Sequence, residues 1–301
     1  MAPLKYQKLP DSMLDRIRCK ETLIFIGSDL GINSNLPDDN RLISMLAEES
    51  NYSGSSMNLP SVAEHYEMVK DAESLRHVVA DKFNVNQPNT FYETLVEIPA
   101  VETIITTRYE NALEIGCSSI RRPIQSLMSD EDMNEETLEY QMMVWYICGS
   151  VNQPSGLVLT REDFEQWRDQ NSYLFEGLAN LLTSRPLILL GYNYLSFREQ
   201  FFKILYETSF QEYPSGQKPP VYYIVKKFTT FMNNWAGKDI SKNHIQMSAS
   251  QFMKLLPKAL GGANYSTLRD ARLPLGNVPD TSDFIGRQQE LWLVANELIL
   301  L

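Results

Sequence analysis

The sequence predicts an α/β protein with a Rossmann-like doubly wound parallel sheet, helices on both faces and a helical insertion. Two observations support this prediction. Short apolar or β-branched runs recur along the chain, and stretches with helical spacing separate them. Strands that alternate with helices form βαβ units, whose parallel strands are buried on both faces. The predicted strands are residues 21–27, 101–107, 142–147, 157–160, 186–191 and 221–225.

The predicted helices connect these strands. The spacing of Leu14 and Ile17 indicates a helix before the first strand, and residues 37–84 show a helical pattern with a Ser/Gly-rich break, which predicts the insertion. Thr160 precedes acidic residues and suits a helix N-cap. The acidic stretch 129–139 predicts a solvated loop or a helix start. Further helical stretches are residues 178–183 and the aromatic-rich 192–202, interpreted as a core-facing helix and not a cofactor site.

Composition and length predict one large folded domain. The 301 residues are 43% hydrophobic and 22% charged, as in globular proteins. We expect this domain to span residues 1–260. Residues 261–282 shift to Gly, Asn, Pro and Asp, which indicates a linker. Residues 283–301 then begin a new apolar, helix-like segment.

The charge and the cysteines exclude several classes of function. A net charge of −11 argues against direct nucleic-acid binding and against docking to anionic lipid. Cys19, Cys117 and Cys148 are odd in number and lack metal-ligand spacing, so no disulfide framework and no metal site are predicted. No apolar leader or membrane-length run is visible. These features predict a cytoplasmic protein without a membrane segment.

Four segments together resemble the sirtuin-like domains found at the front of bacterial defence and signalling proteins. Residues 25–31 (FIGSDLG) correspond to the family's strand and G-A-G-x-S, and residues 104–111 (IITTRYEN) to its T-T-N-Y-D. Residues 148–164 are similar to H-G-S-x-x-x-P followed by V-L-T-x-x-D-Y. Residues 187–193 (LILLGYN) are similar to L-F-I-G-Y-S. The resemblance covers about residues 15 to 250.

The resemblance implies a pocket for NAD at the carboxyl ends of the strands. Small residues after the first strand would let backbone N–H groups approach the pyrophosphate. NAD is therefore the possible cofactor, and no metal is implied. The pocket positions carried over from the family motifs are Gly27, Ser28, Asp29, Thr107, Gly149, Ser150, Gly191 and Tyr192.

Three positions depart from the family pattern. Arg108 stands where the family has the catalytic Asn, and a guanidinium has no acceptor lone pair and is always cationic. Cys148 stands where the family has the catalytic His and is a poor proton acceptor at neutral pH. Asp29 places a negative charge where a pyrophosphate would lie. The substitutions predict an inactive or nearly inactive pocket.

The sequence leaves alternatives open at these positions. Asp29 and Arg108 either pair across the pocket or are solvated loop residues. Arg108 either lowers the pKa of Cys148 to give a reactive thiolate, or Cys148 is a buried, inert thiol. A neighbouring residue, namely Asn111, Asn152 or Glu110, would take the catalytic place if the register differs. His65, His77 and His244 lie outside the motif segments, and His65 and His77 are expected in surface or packing roles.

Residues 284–291 (FIGRQQEL) resemble the F-V-G-R-x-x-E-L opening of signal-transducing ATPases of the STAND type. The G-x-x-x-x-G-K-[ST] loop that normally follows is not present in these 301 residues, and a capping helix of the first domain is the alternative interpretation. The ATPase resemblance implies that the chain is the N-terminal part of a longer protein.

The leading functional hypothesis is a catalytically degenerate sirtuin-like module of an anti-phage defence or signalling protein. It would act in oligomerisation, interaction or nucleotide sensing, with a homo-oligomer, protein partners or a C-terminal ATPase region as partners. The alternative is an NAD glycohydrolase that depletes cellular NAD. Protein deacylation is less favoured, because the four-cysteine zinc module of many deacylating sirtuins is missing.

Overall fold

The computed structural model describes residues 8–30, 36–134, 141–213, 218–226 and 243–261. Within these ranges the chain forms a seven-stranded, all-parallel sheet with helices between the strands. The strands are β1 (Leu23–Ile26), β2 (Thr103–Thr106), β3 (Ile124–Leu127), β4 (Met142–Tyr146), β5 (Leu187–Leu190), β6 (Val221–Val225) and β7 (His244–Gln246). The helices are α1 (Asp11–Arg18), α2 (Asp39–Glu49), α3 (Leu59–Val69), α4 (Ala72–Phe83), α5 (Thr90–Val96), α6 (Ala112–Ser119), α7 (Arg161–Gln170), α8 (Ser172–Ser184), α9 (Phe197–Glu212) and α10 (Ala249–Gly261).

The first strand lies at the centre of the sheet. The strand order is β3-β4-β2-β1-β5-β6-β7, so the chain leaves β1 toward one edge and later crosses back to build the other half. Leu23 is in register with Thr103 of β2 on one side and with Leu187 of β5 on the other. The order in which the chain adds strands therefore reverses beside β1, as in other doubly wound folds.

Both faces of the sheet are covered by helices, and the side chains of the central strands alternate between the two faces. Leu23 and Phe25 of β1 belong to one core with residues of α2, α3, α4, α7, α8 and α9. Ile24 and Ile26 belong to a second core with residues of α1, α5, α6 and α10. Because successive strand side chains point to opposite faces, a strand that is apolar throughout requires two helical layers. The predicted fold class is confirmed.

The predicted helical insertion, residues 37–84, contains α2, α3 and α4; α5 follows it, and all four helices lie between β1 and β2. Each of the four begins at an Asp or Asn whose side chain accepts a hydrogen bond from a backbone N–H of the first turn. Because each cap starts a new helix, the segment forms separate short helices and not one long helix. The capping residues are Asp38, Asn58, Asp71 and Asn89.

One predicted strand, residues 157–160, is wrong. The backbone N–H groups of Leu159 and Thr160 donate to the Asp163 carboxylate in the cap of α7, and that of Val158 donates to the carbonyl of Cys148. No N–H in this segment is available for a strand ladder. The expected N-cap at Thr160 is confirmed, since its hydroxyl accepts from the Asp163 N–H in a reciprocal capping box.

Two strands lacked a sequence signal. β3 packs one face only, with alternating buried and half-buried residues, and β7 has three residues. Both are the outermost strands of the sheet, where a shorter or more polar pattern is tolerated. The acidic stretch 129–139 begins with a 3-10 turn at Asp130–Asn134, and residues 135–140 lie outside the described residues.

The predicted linker and the ATPase-like segment lie outside the described residues, apart from Gly261, which ends α10. Among the residues that the structure describes, no helix is both long enough and apolar enough to cross a membrane.

Candidate functional site

The carboxyl ends of β1 and β5 lie side by side at the point where the strand order reverses. Ligands of doubly wound sheets bind in the crevice at such a point. Here the two loops touch: the Asp29 N–H donates to the Gly191 carbonyl over 2.9 Å, and a Cβ on Gly27 would lie 2.5 Å from the same oxygen. Gly191 has a φ of +66°, which favours glycine. The crevice is thus narrow between its own backbone segments.

A buried carboxyl group lies at the carboxyl end of β1. Glu199, in the first turn of α9, is fully buried and accepts hydrogen bonds from the backbone N–H and the hydroxyl of Ser28, the latter over 3.1 Å. It also accepts from the Thr107 hydroxyl over 3.0 Å. Burial raises the pKa of Glu199, and the neighbouring Arg198 guanidinium opposes that shift. A carboxyl group of the chain therefore already occupies the hydrogen-bond donors after β1 and β2.

The second buried group is Arg108, which follows β2 and is 7% exposed. Its guanidinium pairs with Glu110 and donates to the Ser28 carbonyl over 3.0 Å and to the Gly27 carbonyl over 3.5 Å. Glu110 also accepts from the Tyr92 hydroxyl over 2.6 Å. The guanidinium thereby closes the gap between the ends of β1 and β2.

A second buried ion pair holds the insertion against the sheet. Arg198 is 2% exposed, pairs with Asp39 of α2 and donates to the Thr107 carbonyl over 2.9 Å. The guanidinium carbon lies 4.6 Å from the centre of the Tyr109 ring. Burial acts to raise the pKa of Asp39, but the Arg198 charge outweighs it and the net pKa is lowered. Asp39 is therefore ionised and forms an ion pair with Arg198.

A fourth, half-buried acid lies on α6 and contacts the end of β4. Glu114 of α6 accepts hydrogen bonds from the hydroxyls of Tyr146 and Ser126 over 2.7 Å and 2.8 Å, and from the Asn152 amide over 3.3 Å. Burial raises its pKa despite these donors, and the Glu110 charge adds to the shift. The Asn152 amide is thus bound to Glu114.

Cys148 is a buried thiol at the end of β4. Burial raises its pKa well above the usual range, and the cation that partly offsets this effect is Arg198, not Arg108. The hypothesis that Arg108 lowers the pKa of Cys148 to give a thiolate is wrong. The desolvated thiol is neutral at physiological pH and has little nucleophilic or basic character.

The residues that follow Cys148 have structural roles. Gly149 has a φ of +78°, and a Cβ there would collide with the carbonyl of Gly156. Ser150 is fully buried, and its hydroxyl faces the Asn152 N–H over 3.4 Å. Tyr192 is 7% exposed, and its ring packs on Phe25 with centroids 5.9 Å apart.

The structure brings together four of the predicted pocket residues and one of the two predicted catalytic positions. Gly27, Ser28, Thr107, Arg108 and Gly191 are linked by the contacts described above. Asp29 is exposed, and the ion pairs of the described residues do not include an Asp29–Arg108 pair. The proposed pairing across the pocket is wrong, because Glu110 is already the partner of Arg108.

The alternative catalytic residues are also engaged. The Asn111 amide donates to Asn84 and its oxygen accepts from the Val85 N–H, which ties it to the end of α4. Glu110 is buried against Arg108 and Tyr92, but its Oε2 has no hydrogen-bond partner among the described residues. Of the alternatives, Glu110 is the one inside the crevice.

Sequence reasoning missed the buried ion network. Asp39, Arg198 and Glu199 were not selected, although a signal existed: the pair Arg198–Glu199 interrupts an aromatic, core-facing stretch. Charged residues on the buried face of a helix require partners, so such a pair predicts an internal charge site. Across the described ranges, no group of His, Cys, Asp and Glu has an arrangement that suits a metal ion.

Comparison with known proteins gives a partial match. The family model for the SIR2-like domain matches residues 102–245. The match runs from the start of β2 into β7 and includes three of the four motif segments; the FIGSDLG segment lies before it. The chain is also 22% identical over 173 residues to "NAD(+) hydrolase ThsA" of Cytobacillus dafuensis. That alignment covers 57% of this chain and 35% of the relative, so the chain spans about a third of the relative's length.

Proposed function

We propose that this chain is a catalytically degenerate SIR2-like module of a bacterial anti-phage defence or signalling protein, which acts in interaction, oligomerisation or nucleotide sensing. The observation that carries the proposal is the Arg108 guanidinium, buried between the ends of β1 and β2 and paired with Glu110. The protein's own side chain fills the position where the family motif places its catalytic Asn. The crevice then lacks the catalytic groups for NAD hydrolysis.

The chemistry at this position supports an inactive site. Release of nicotinamide develops positive charge on the ribose, which a fixed cation such as Arg108 opposes. A guanidinium has no lone pair with which to orient water. Cys148, at the motif's His position, is neutral and desolvated and is therefore a poor proton acceptor. These residues do not fit a hydrolytic NAD site.

The second candidate function is NAD hydrolysis. It is favoured by the similarity to a relative named as an NAD(+) hydrolase. In this case Arg108 would have to leave Glu110, and the Glu110 carboxylate would stabilise the developing positive charge. The buried Oε2 of Glu110, which has no hydrogen-bond partner among the described residues, is the feature of the crevice that suits this role.

Calorimetric titration with NAD and ADP-ribose, together with an assay for nicotinamide release, separates the two candidates. We expect no nicotinamide release from the wild-type chain. Steady release that Glu110→Gln abolishes and Glu114→Gln retains would refute the degenerate module and establish hydrolysis. Glu114→Gln is the matched control, because it also neutralises a half-buried, hydrogen-bonded acid beside the crevice.

The proposed partners are further copies of the chain, other proteins or a C-terminal ATPase region. Several large apolar side chains are exposed at the ends of α3 and near α9, including Met68 at 86% and Leu195 at 71%. Sedimentation velocity of the wild-type chain over a concentration series tests self-association. A single monomeric species at all concentrations would remove oligomerisation from the proposal.

A further inference from the structure

Glu199 differs from the other buried carboxylates of the crevice in how it is bound. Asp39 pairs with Arg198, and Glu110 pairs with Arg108. Among the described residues, Glu199 forms no ion pair; its two oxygens instead accept from one backbone N–H and two hydroxyls. A buried carboxyl group held by such donors, without an ion pair, occupies positions that could otherwise bind the oxygens of a ligand.

The donors around Glu199 are those that hold phosphate groups in doubly wound folds. The Ser28 N–H follows the first strand, and the hydroxyls of Ser28 and Thr107 lie at the ends of β1 and β2. Backbone N–H groups and hydroxyls at this edge of a parallel sheet form anion-binding concavities. A Cβ on Gly27 would lie 2.8 Å from Glu199 Oε1, so the glycine permits the close approach of the carboxylate.

The local charges also favour exchange with another anion. The crevice holds two buried guanidinium groups, Arg108 and Arg198, and three carboxyl groups, of which Glu110 and Glu199 are buried and Asp39 is half-buried. With Glu199 ionised, the buried set carries an excess negative charge that repels an incoming phosphate. Without the Glu199 charge the set is balanced, and the Ser28 and Thr107 donors are left without an acceptor.

We infer that Glu199 is a built-in occupant of a phosphate site, and that the site takes the phosphoryl group of a nucleotide only when this carboxylate is displaced. The inference rests on the proposed function, since it supplies the sensing step of a module whose crevice is closed at rest. Glu199 is the third residue of α9, so a shift of the first turn of that helix withdraws the carboxylate from Ser28. The exchange involves no covalent step.

The test compares the wild-type chain with Glu199→Ala, Glu199→Gln and the control Glu114→Gln. Inorganic pyrophosphate is titrated into each protein by calorimetry, and its effect on the melting temperature is measured in parallel. We expect Glu199→Ala to bind pyrophosphate about tenfold or more tightly than the wild type, because the competing anion has been removed. Pyrophosphate should raise the melting temperature of Glu199→Ala but not that of the wild type or of Glu114→Gln.

Glu199→Gln keeps the size of the side chain and a carbonyl acceptor but removes the charge. We expect it to bind pyrophosphate more tightly than the wild type and less tightly than Glu199→Ala. A titration with ADP-ribose shows whether the phosphoryl group is accepted as part of a nucleotide.

Three results would overturn the inference. They are a folded Glu199→Ala that binds pyrophosphate no more tightly than the wild type, equal gains in the Glu114→Gln control, and wild-type binding as tight as that of Glu199→Ala. If Glu199→Ala does not fold, Glu199→Gln decides in the same way. Nicotinamide release by the wild-type chain would refute the proposed function but is not measured by pyrophosphate titration, so the two failures are distinguishable.

Discussion

The buried Arg108–Glu110 pair makes the strongest prediction about stability. The two side chains are 8% and 1% exposed, so neither charge is compensated by water. Arg108→Met keeps an unbranched side chain of similar length but leaves the Glu110 carboxylate with the Tyr92 hydroxyl as its hydrogen-bond donor. Breaking a buried pair in this way costs about 3–5 kcal/mol. We expect Arg108→Met to lower the free energy of unfolding by about 4 kcal/mol, with the lost bond to the Ser28 carbonyl included.

Removing both charges should recover much of this loss. Glu110→Gln retains an acceptor for Tyr92 and adds no buried charge, so the double variant Arg108→Met/Glu110→Gln leaves no uncompensated ion. We expect a coupling energy of about 2–3 kcal/mol between the two substitutions. A coupling near zero would mean that the two groups do not act as a pair.

Urea unfolding of the four proteins of the cycle at neutral pH provides the measurement. For a chain of this size, a loss of about 4 kcal/mol corresponds to a melting temperature lower by roughly 10 °C. Asp29→Ala is the control, because Asp29 is exposed and lies outside the ion pairs; we expect it to change stability by less than about 0.5 kcal/mol. A loss below about 1 kcal/mol for Arg108→Met, or an equal loss for Asp29→Ala, would refute the reasoning.

Two further predictions concern thiol reactivity and pH. Cys19 is exposed, whereas Cys148 is fully desolvated and burial raises the pKa of Cys117 to about 12. In an Ellman assay we therefore expect one thiol to react fast in the native protein and all three to react fast in denaturant. Fast modification of Cys148 in the native protein would contradict the closed crevice. The pKa of Glu114 is raised from its ordinary value of 4.5, so its ionisation costs the folded state free energy as pH rises above that value. The stability of Glu114→Gln relative to the wild type should therefore increase as the pH rises above 4.5, and a constant difference would contradict the raised pKa.

Several features of the fold follow from local sequence patterns. The apolar runs that end at Gly27 and Gly191 predicted β1 and β5, because only a strand buried on both faces is apolar throughout. Thr160 and Asp163 predicted the start of α7, since capping depends on residues three apart. Such signals are short-range, and they hold wherever the chain is placed.

The partners in the crevice could not be obtained in this way. Arg198 pairs with Asp39, which lies 159 residues away in the chain, and Glu199 reaches Ser28 across 171 residues. Arg108 and Glu110 are two residues apart, but the sequence does not show that both are buried, and it left open whether Arg108 pairs with Asp29 or is solvated.

The sequence by itself determined the α/β class, the central strands, the helical insertion and the motif positions around the crevice. The tertiary structure alone decided which charges fill that crevice. The physical reason is that hydrophobic periodicity and capping are properties of neighbouring residues, whereas the partner of a buried charge is set by whichever elements the sheet brings together.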